Sequence, residues 1–522
     1  MAKFSKSKAI ETLLRIAVAV VGGVMSSLAF PREGIWPLIF ISVALITLSV
    51  RNQGFSKSLL IGFAGGLGFY LSQIEWLSLY LGPVPWLALS ILEAAIFAIG
   101  MLCVSLVWSK ISKTKETIWT PLLLAFSIAS IWTAREWVSI TLPYGGFPWS
   151  RLSQSQSDSP LANWVYWGGL GWLTFVVAFV SVLSLIIVLK WRTSSTLAKS
   201  CAMFTIAALF VIPAVTIPPI NAEAGILRVG AVQGNANAGL FANPIRGSIL
   251  QNHLDATKLL ADKLRSKKLD LVVWPENASD VSPFLDAKTA QTIRNEVDAN
   301  LGVPLIFGTI TARGDEIFNS SILWKPNLGP VDWYDKKRPV PFAEYVPDRD
   351  FWYQLAPDLV GLISRGYSFG TRDGIFEVDS KKVGVLICFE IAIDDIGRDL
   401  VNQGAQVILS QTNNADFGHS DETFQQVAFA KLRAIETGRA VVNISTVGKS
   451  VIYSPDGRVL AELPTFESAA MAASVPLRTS KTPATLLSPA IDLSINLFAL
   501  VLFARSLIRI NRKSKLLQEG EN

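Results

Sequence analysis

The 522-residue chain is 50% hydrophobic and only 17% charged, with a formal net charge of +6. Soluble domains carry about 25% charged residues, so the composition points to a membrane protein of more than one domain. Its basic residues lie beside apolar runs rather than on one soluble face, which argues against a nucleic-acid partner. Three scattered cysteines and two histidines argue against a disulfide framework and a zinc site.

A membrane-crossing helix needs about 20 mostly apolar residues. Seven such runs, near 10–30, 34–50, 58–79, 84–108, 118–140, 163–189 and 200–217, precede residue 220, and an eighth lies near 484–505. The first follows Lys3, Lys6 and Lys8 but is long for a signal peptide, so it reads as a retained helix. Eight spans place five basic segments on one side: the N-terminus, Arg51 with Lys57, Lys110 to Lys115, Lys190 to Lys199, and the tail from Arg505 to Lys515. Because Lys and Arg accumulate on the cytoplasmic side, both termini are expected there, with the long segment between the seventh and eighth runs outside. Cys103 and Cys201 fall inside apolar runs. The loop 142–160 carries Gly145, Gly146 and Pro148, and Trp149 and Arg151 are expected at headgroup level. Arg135 and Glu136, inside the fifth run, form either an ion pair or a functional site.

From residue 226 to 476 the pattern changes to short strands and amphipathic helices. Strands are expected at 226–234, 269–274, 303–310, 317–324, 331–334, 376–378, 381–387, 407–411, 440–446 and 450–454. Helices are expected at 246–265, 283–299, 391–403 and 421–437. This alternation predicts an α/β or α+β sandwich, with sheet inside and helices outside. The domains expected are therefore 1–220 with seven transmembrane helices, 221–478 as a catalytic domain, and 479–522 as a last helix with a basic tail.

Three reactive side chains follow apolar strands: Glu276 after LVVWP, Lys336 after VDWYD, and Cys388 after VGVLI. If those strand ends meet, the carboxylate can take the thiol proton and the ammonium can stabilise the thiolate and an oxyanion. The backbone N–H of Phe389 would be a second oxyanion donor. Each residue also has an ordinary reading: a buried cysteine, an acid beside a helix start, a solvated basic run at Lys336 to Arg338. A Cys–His dyad is the competing mechanism. It would need His253, on the apparent outer face of a helix, or His419 in a Gly-His-Ser loop. The segment 349–366, with Phe351, Trp352, Tyr353, Leu355, Leu359, Val360, Leu362 and Ile363, reads as a membrane-dipping arm over Cys388 or as a packed loop.

WPEN at 274–277, YDKKRPVPFAEYVP at 334–347 and ICFEI at 387–391 resemble the three catalytic blocks of the nitrilase, or carbon–nitrogen hydrolase, superfamily. With VQGN at 232–235, GGFPW at 145–149 and AKLRAIETGR at 430–439, nearly the whole chain resembles that superfamily's membrane branch, the apolipoprotein N-acyltransferases. The resemblance implies a multi-pass α-helical membrane protein with eight spans and a nitrilase-like αββα sandwich. It implies a ping-pong acyltransferase with Glu276 as general base, Lys336 stabilising the tetrahedral state and Cys388 as acylated nucleophile. Glu344 and Glu390 would support the site. Trp149, Phe241, Trp352, Leu359 and Phe417 would line lipid access. The implied partners are a phospholipid donor, a diacylglyceryl-modified apolipoprotein acceptor and the bilayer, with no metal or cofactor and a monomeric enzyme in the cytoplasmic membrane. Departures occur at Pro339, Ala343, Phe389, where relatives often have Tyr, and at 239–241, which lacks a tryptophan. The alternatives are a membrane-tethered amidase with water as acceptor and a non-enzymatic scaffold or transporter.

Overall fold

A computed structural model describes residues 2–113, 117–239, 242–264, 269–363 and 366–519. The chain divides into two compact units: Met1–Ser78, Gly82–Thr216 and Leu487–Asn522 in one, Leu79–Leu81 and Ile217–Leu486 in the other.

The first unit is helical. All eight apolar runs form helices: Ala2–Ser27, Leu38–Val50, Phe55–Gln73, Pro83–Ile111, Thr120–Ser139, Trp164–Leu189, Thr196–Val215 and Pro483–Glu519. Five carry a stretch long and apolar enough to cross a membrane: Lys8–Ser27, Pro83–Ile111, Pro160–Leu189, Thr196–Val215 and Pro483–Arg505. The other three fall short for separate reasons. Leu38–Val50 has 13 residues, about 20 Å at 1.5 Å per residue against a core of about 30 Å. Phe55–Gln73 is diluted by glycines that serve packing: a Cβ on Gly65 would lie 3.2 Å from Ala19, and one on Gly62 2.7 Å from Met101. Small residues of this kind let helix backbones approach. Thr120–Ser139 carries Arg135 and Glu136.

In the 142–160 loop, expected at headgroup level, Arg151 is 2% exposed. Its Nε donates to Glu136 Oε1 at 3.2 Å, and Thr174 and the Leu152 N–H add donors to the same carboxylate at 2.7 and 2.9 Å. A buried charge is tolerated when its partners satisfy it, so Glu136 ties this loop to two helices. Trp149 is buried as well, edge-on to Trp76 and stacked on Phe147.

The second unit contains two six-stranded sheets. The strands are β1 (Ile226–Gln233), β2 (Leu271–Val273), β3 (Leu305–Arg313), β4 (Glu316–Lys325), β5 (Gly329–Asp335), β6 (Ile375–Val378), β7 (Lys381–Ile387), β8 (Val407–Thr412), β9 (Val441–Ser445), β10 (Ser450–Tyr453), β11 (Val459–Leu463) and β12 (Ala469–Pro476). The orders are β12-β1-β2-β3-β4-β5 and β11-β10-β9-β8-β7-β6. In each sheet three strands run parallel, β1-β2-β3 and β7-β8-β9, flanked by antiparallel neighbours. Alternation sorts the side chains, because successive residues of a strand face opposite sides. Val229, Leu271, Val273, Val383, Val385 and Ile387 fill the core between the sheets. Val232, Val272 and Phe307 face outward, onto Leu254, Leu260 and Ile293 of helices Ser248–Leu264 and Ala287–Asn295. Helices Asp394–Asn402 and Glu422–Thr437 cover the other sheet, burying Ile396 and Leu400 from the first and Phe429 and Leu432 from the second. This is the four-layer sandwich expected.

Several boundaries differ from the sequence reading. Strands β11 and β12 were not anticipated. β11 is mostly exposed and β12 is a run of alanines, so neither shows strong apolar alternation. The helix expected at 391–403 opens as a 3-10 turn, Cys388–Ala392. That expected at 283–299 starts only at Ala287, where Asp286 caps the Thr289 N–H at 2.6 Å. Residue 265, the expected end of the 246–265 helix, lies outside the described residues.

Candidate active site

Cys388 stands one residue past β7, with φ +53°. A non-glycine residue in the left-handed region costs about 1–2 kcal/mol. The cost is tolerated because Val383, Val385 and Ile387 anchor the strand in the core while the next residues turn at once into Cys388–Ala392. The result is a sharp elbow that leaves the thiol half-buried and unbridged.

Glu276 follows β2 across Pro275. β3 passes directly behind it: a Cβ on Gly308 would lie 2.6 Å from Glu276 Cα, so only glycine fits there. Lys336 follows β5, and its N–H donates to the Asn319 carbonyl of β4 at 2.9 Å. Glu344 lies in the turn after Lys336, where its Oε2 accepts the Val340 N–H at 2.7 Å.

These strand ends meet. Lys336 Nζ lies 2.8 Å from Glu344 Oε2 and 3.5 Å from Glu276 Oε1, and its side chain is 1% exposed. The Glu276 and Lys336 charges both act on the Cys388 thiol, in opposite directions. Burial would lower the Lys336 pKa, but Glu344, Glu276 and Cys388 outweigh it and the group is held firmly cationic. Burial raises Glu276 above the ordinary carboxylate range, with Lys336 opposing and Glu344 reinforcing the rise. Burial and the Glu276 charge also push the Cys388 thiol up. The resting site is therefore a neutral thiol beside a carboxylate of raised basicity and a fixed cation. Chemically, such an arrangement is able to take the proton from sulfur during an attack without storing a thiolate.

Glu390 is different. Tyr334 Oη reaches both carboxylate oxygens at 2.9 and 3.0 Å. The N–H groups of Lys337 and Arg338 donate to Oε1 at 2.8 and 3.2 Å, and Ile387 N–H to Oε2 at 2.9 Å. It fastens the segment after β5 to the end of β7, which holds Lys336 and Cys388 in register. Phe389 itself is half-buried.

Other expected residues are distributed more widely. The Phe417 ring lies against Tyr80, 5.8 Å between centroids, and Tyr80 Oη donates to the Ala343 carbonyl at 3.3 Å. The segment 349–366 contains two short helices, Arg349–Leu355 and Pro357–Leu362. Trp352 packs edge-on to Phe342, Leu359 is half-buried, and Phe351, Tyr353, Leu355 and Leu362 are exposed. Leu240 and Phe241 lie outside the described residues, as do residues 364 and 365. His253 is not on an outer face. It is fully buried against Trp274 and bonded to the Ile249 carbonyl at 2.8 Å, and burial lowers it to about 4. His419 stacks on Phe466. Both rings are thus engaged apart from the thiol.

Sequence reading missed three contributors. Asn319 Nδ2 donates to Glu276 Oε1 at 2.7 Å and to Glu344 Oε1 at 2.9 Å, bridging the two acids. An amide within the apolar run EIFNSSILW was a usable signal, since buried polar groups need partners. Gln426 Nε2 lies 3.5 Å from Cys388 Sγ. Tyr80 comes from the short loop between two apolar runs, and nothing local marks it.

Residues 22–183 match the family model described as the apolipoprotein N-acyltransferase N-terminal domain, and residues 228–482 match carbon-nitrogen hydrolase. An apolipoprotein N-acyltransferase of Mycolicibacterium smegmatis is 30% identical over 91% of this chain and 82% of its own length. One from Photobacterium profundum is 27% identical over 97% of each chain. Among solved structures, a nitrilase-superfamily amidase of Nesterenkonia AN1 covers 54% of this chain and 99% of its own, at 16% identity and a TM-score of 0.38.

Proposed function

The chain belongs to the apolipoprotein N-acyltransferase family, and on that footing we propose that it moves an acyl chain from a phospholipid to a lipoprotein by way of Cys388. The observation that carries this reading is the convergence of Glu276, Lys336 and Cys388 from three strand ends, with Lys336 3.5 Å from Glu276 and the charges of both acting on the thiol.

In the first half-reaction Glu276 takes the thiol proton as sulfur attacks the ester carbonyl. Lys336 and the Phe389 N–H stabilise the tetrahedral oxyanion. The C–O bond breaks, Glu276 returns the proton to the leaving oxygen, and a lysophospholipid departs from a thioester. In the second, the free α-amine of an N-terminal diacylglyceryl-cysteine attacks the thioester. Glu276 accepts the amine proton, the C–S bond breaks, and the proton restores the thiol. Glu344 and Asn319 hold Lys336 and Glu276 in place throughout. Keeping water out favours the amine over hydrolysis.

The address follows from charge. Counting all eight apolar runs as spans, including the three whose helices fall short on length or apolarity, puts the five basic segments on one face; on that count both termini are cytoplasmic and the catalytic domain, 221–478, lies outside, between a membrane domain of 1–220 and a last span with its tail in 479–522. The exposed apolar side chains at Phe351, Tyr353, Leu355 and Leu362 suit an arm that dips into lipid beside the site, and by the family resemblance alone Trp149, Trp352, Leu359, Phe241 and Phe417 are proposed for acyl-chain access. The enzyme acts as a monomer.

Intact-mass analysis after incubation with phospholipid vesicles tests the scheme. One acyl chain is expected on the wild type and none on Cys388→Ala. An acyl adduct on Cys388→Ala, or free fatty acid as sole product with a lipoprotein acceptor present, overturns it.

A further inference from the structure

A buried amide network reaches the sulfur of Cys388. Gln426, on helix Glu422–Thr437, is 2% exposed. Its Oε1 accepts from Thr412 Oγ1 at 2.8 Å and from Asn414 Nδ2 at 2.6 Å. Asn414 is held in turn: its Oδ1 accepts from Ser445 Oγ at 2.6 Å, and its Nδ2 also donates to Glu422 Oε2 at 2.6 Å. Gly448 makes room for this arrangement, since a Cβ there would lie 2.2 Å from Asn414 Oδ1.

The network decides which end of the Gln426 amide meets sulfur. Two donors fall on Oε1, so the NH2 end must point the other way, and it lies 3.5 Å from Cys388 Sγ. A carboxamide that could flip would present its oxygen to a thiolate half the time and repel it. This one is fixed as a donor. Hydrogen bonds to the charged form of a group favour that form.

We propose that Gln426 is a positioning residue for the acyl-carrying cysteine, its amide locked by Thr412 and Asn414 so that Nε2 steers the Cys388 sulfur and supports it as negative charge develops. The proposal rests on Cys388 being the nucleophile. The geometry gives it a role in both half-reactions: sulfur gains charge when it loses its proton, and again when the C–S bond of the thioester breaks. Lys336 and Glu276 hold the catalytic side of the same atom, while the ionisable group behind it is Glu422, which faces the network through Asn414. Burial raises the Glu422 carboxyl to about 8, so near neutral pH it is mostly uncharged and leaves the thiolate unopposed from behind.

The test uses the full-length protein in lipid nanodiscs, with alkylation of Cys388 by iodoacetamide followed by peptide mass across pH 6–11, and acylation by phospholipid followed by intact mass. Gln426→Leu is expected to move the alkylation profile of Cys388 upward by about one pH unit. It should slow acylation by about 10–100-fold with little change in KM. Gln426→His, which restores an N–H donor, should recover most of both. Thr412→Val, which removes one lock on Oε1, should shift the profile in the same direction by less, and decides the matter if Gln426→Leu does not fold. Alkylation profiles of Gln426→Leu and Thr412→Val that overlay the wild type overturn the proposal, as does slow acylation that His fails to rescue. Acylation surviving in Cys388→Ala removes the nucleophile instead, a separate failure.

Discussion

Glu276 and Glu390 flank the end of β7, are equally excluded from water, and have opposite hydrogen-bonding environments. Glu390 is saturated by Tyr334 and three backbone N–H groups. A carboxylate so enclosed has no lone pair to offer and cannot move without breaking several bonds. Asn319 and Lys336 both address Oε1 of Glu276, and among the described residues no backbone N–H donates to its carboxylate. Burial raises both carboxyls, so what separates them is their partners. On the proposed mechanism the same residue type serves as a fastening on one side of the strand and as a base on the other.

Replacing each acid should separate these roles. Glu276→Gln keeps size and hydrogen bonding but removes the base, so acylation is expected to fall by about 10³-fold or more with the fold intact; a near-normal single-turnover rate breaks the comparison. Glu390→Gln turns an NH2 toward donors, and is expected to cost about 3 kcal/mol of stability, read as a lower unfolding midpoint in denaturant. A fully stable Glu390→Gln protein that has lost acylation would instead make Glu390 chemical.

Asn319→Ala is expected to slow acylation by about tenfold, and its pH profile carries more information. The Glu276 carboxyl is raised, so activity falls as pH drops through that raised value and the carboxylate takes a proton. Removing the Asn319 donor weakens the charged form, so the acid limb should move to higher pH. An unmoved limb means another group sets it. The smallest effect concerns Glu422, raised by burial to about 8. A carboxyl whose folded pKa exceeds its unfolded value contributes stability that is complete below the ordinary carboxylate range and lost as pH rises through about 8, by up to about 1.4 kcal/mol per pH unit. Glu422→Gln should melt like the wild type at pH 5 and higher than it at pH 9.

Much of this was legible in the chain. Each of the eight apolar runs became a helix, and the strands before Glu276 and Cys388 were visible because a buried parallel strand is a short apolar run ending in a turn, while β5 before Lys336 is an antiparallel edge strand read from its hairpin spacing. β11 and β12 escaped because an exposed strand and an alanine-rich one lack that contrast. Arg151 was expected at headgroup level beside Trp149, and only the tertiary structure brings Glu136 and Thr174 around it.

The sequence by itself determined which residues are reactive and which segments are buried, since period and composition are local properties. Only the tertiary structure decided which carboxylate is satisfied and which is left basic, that Asn319 bridges two acids, and that Gln426 presents its N–H to sulfur. Hydrogen-bond partners depend on register between strands and helices tens to hundreds of residues apart, and no local pattern records that register. The elbow at Cys388, φ +53°, belongs with them: the chain holds a strained residue there because the packed strand on one side and the bonds of Glu390 on the other leave it no other conformation.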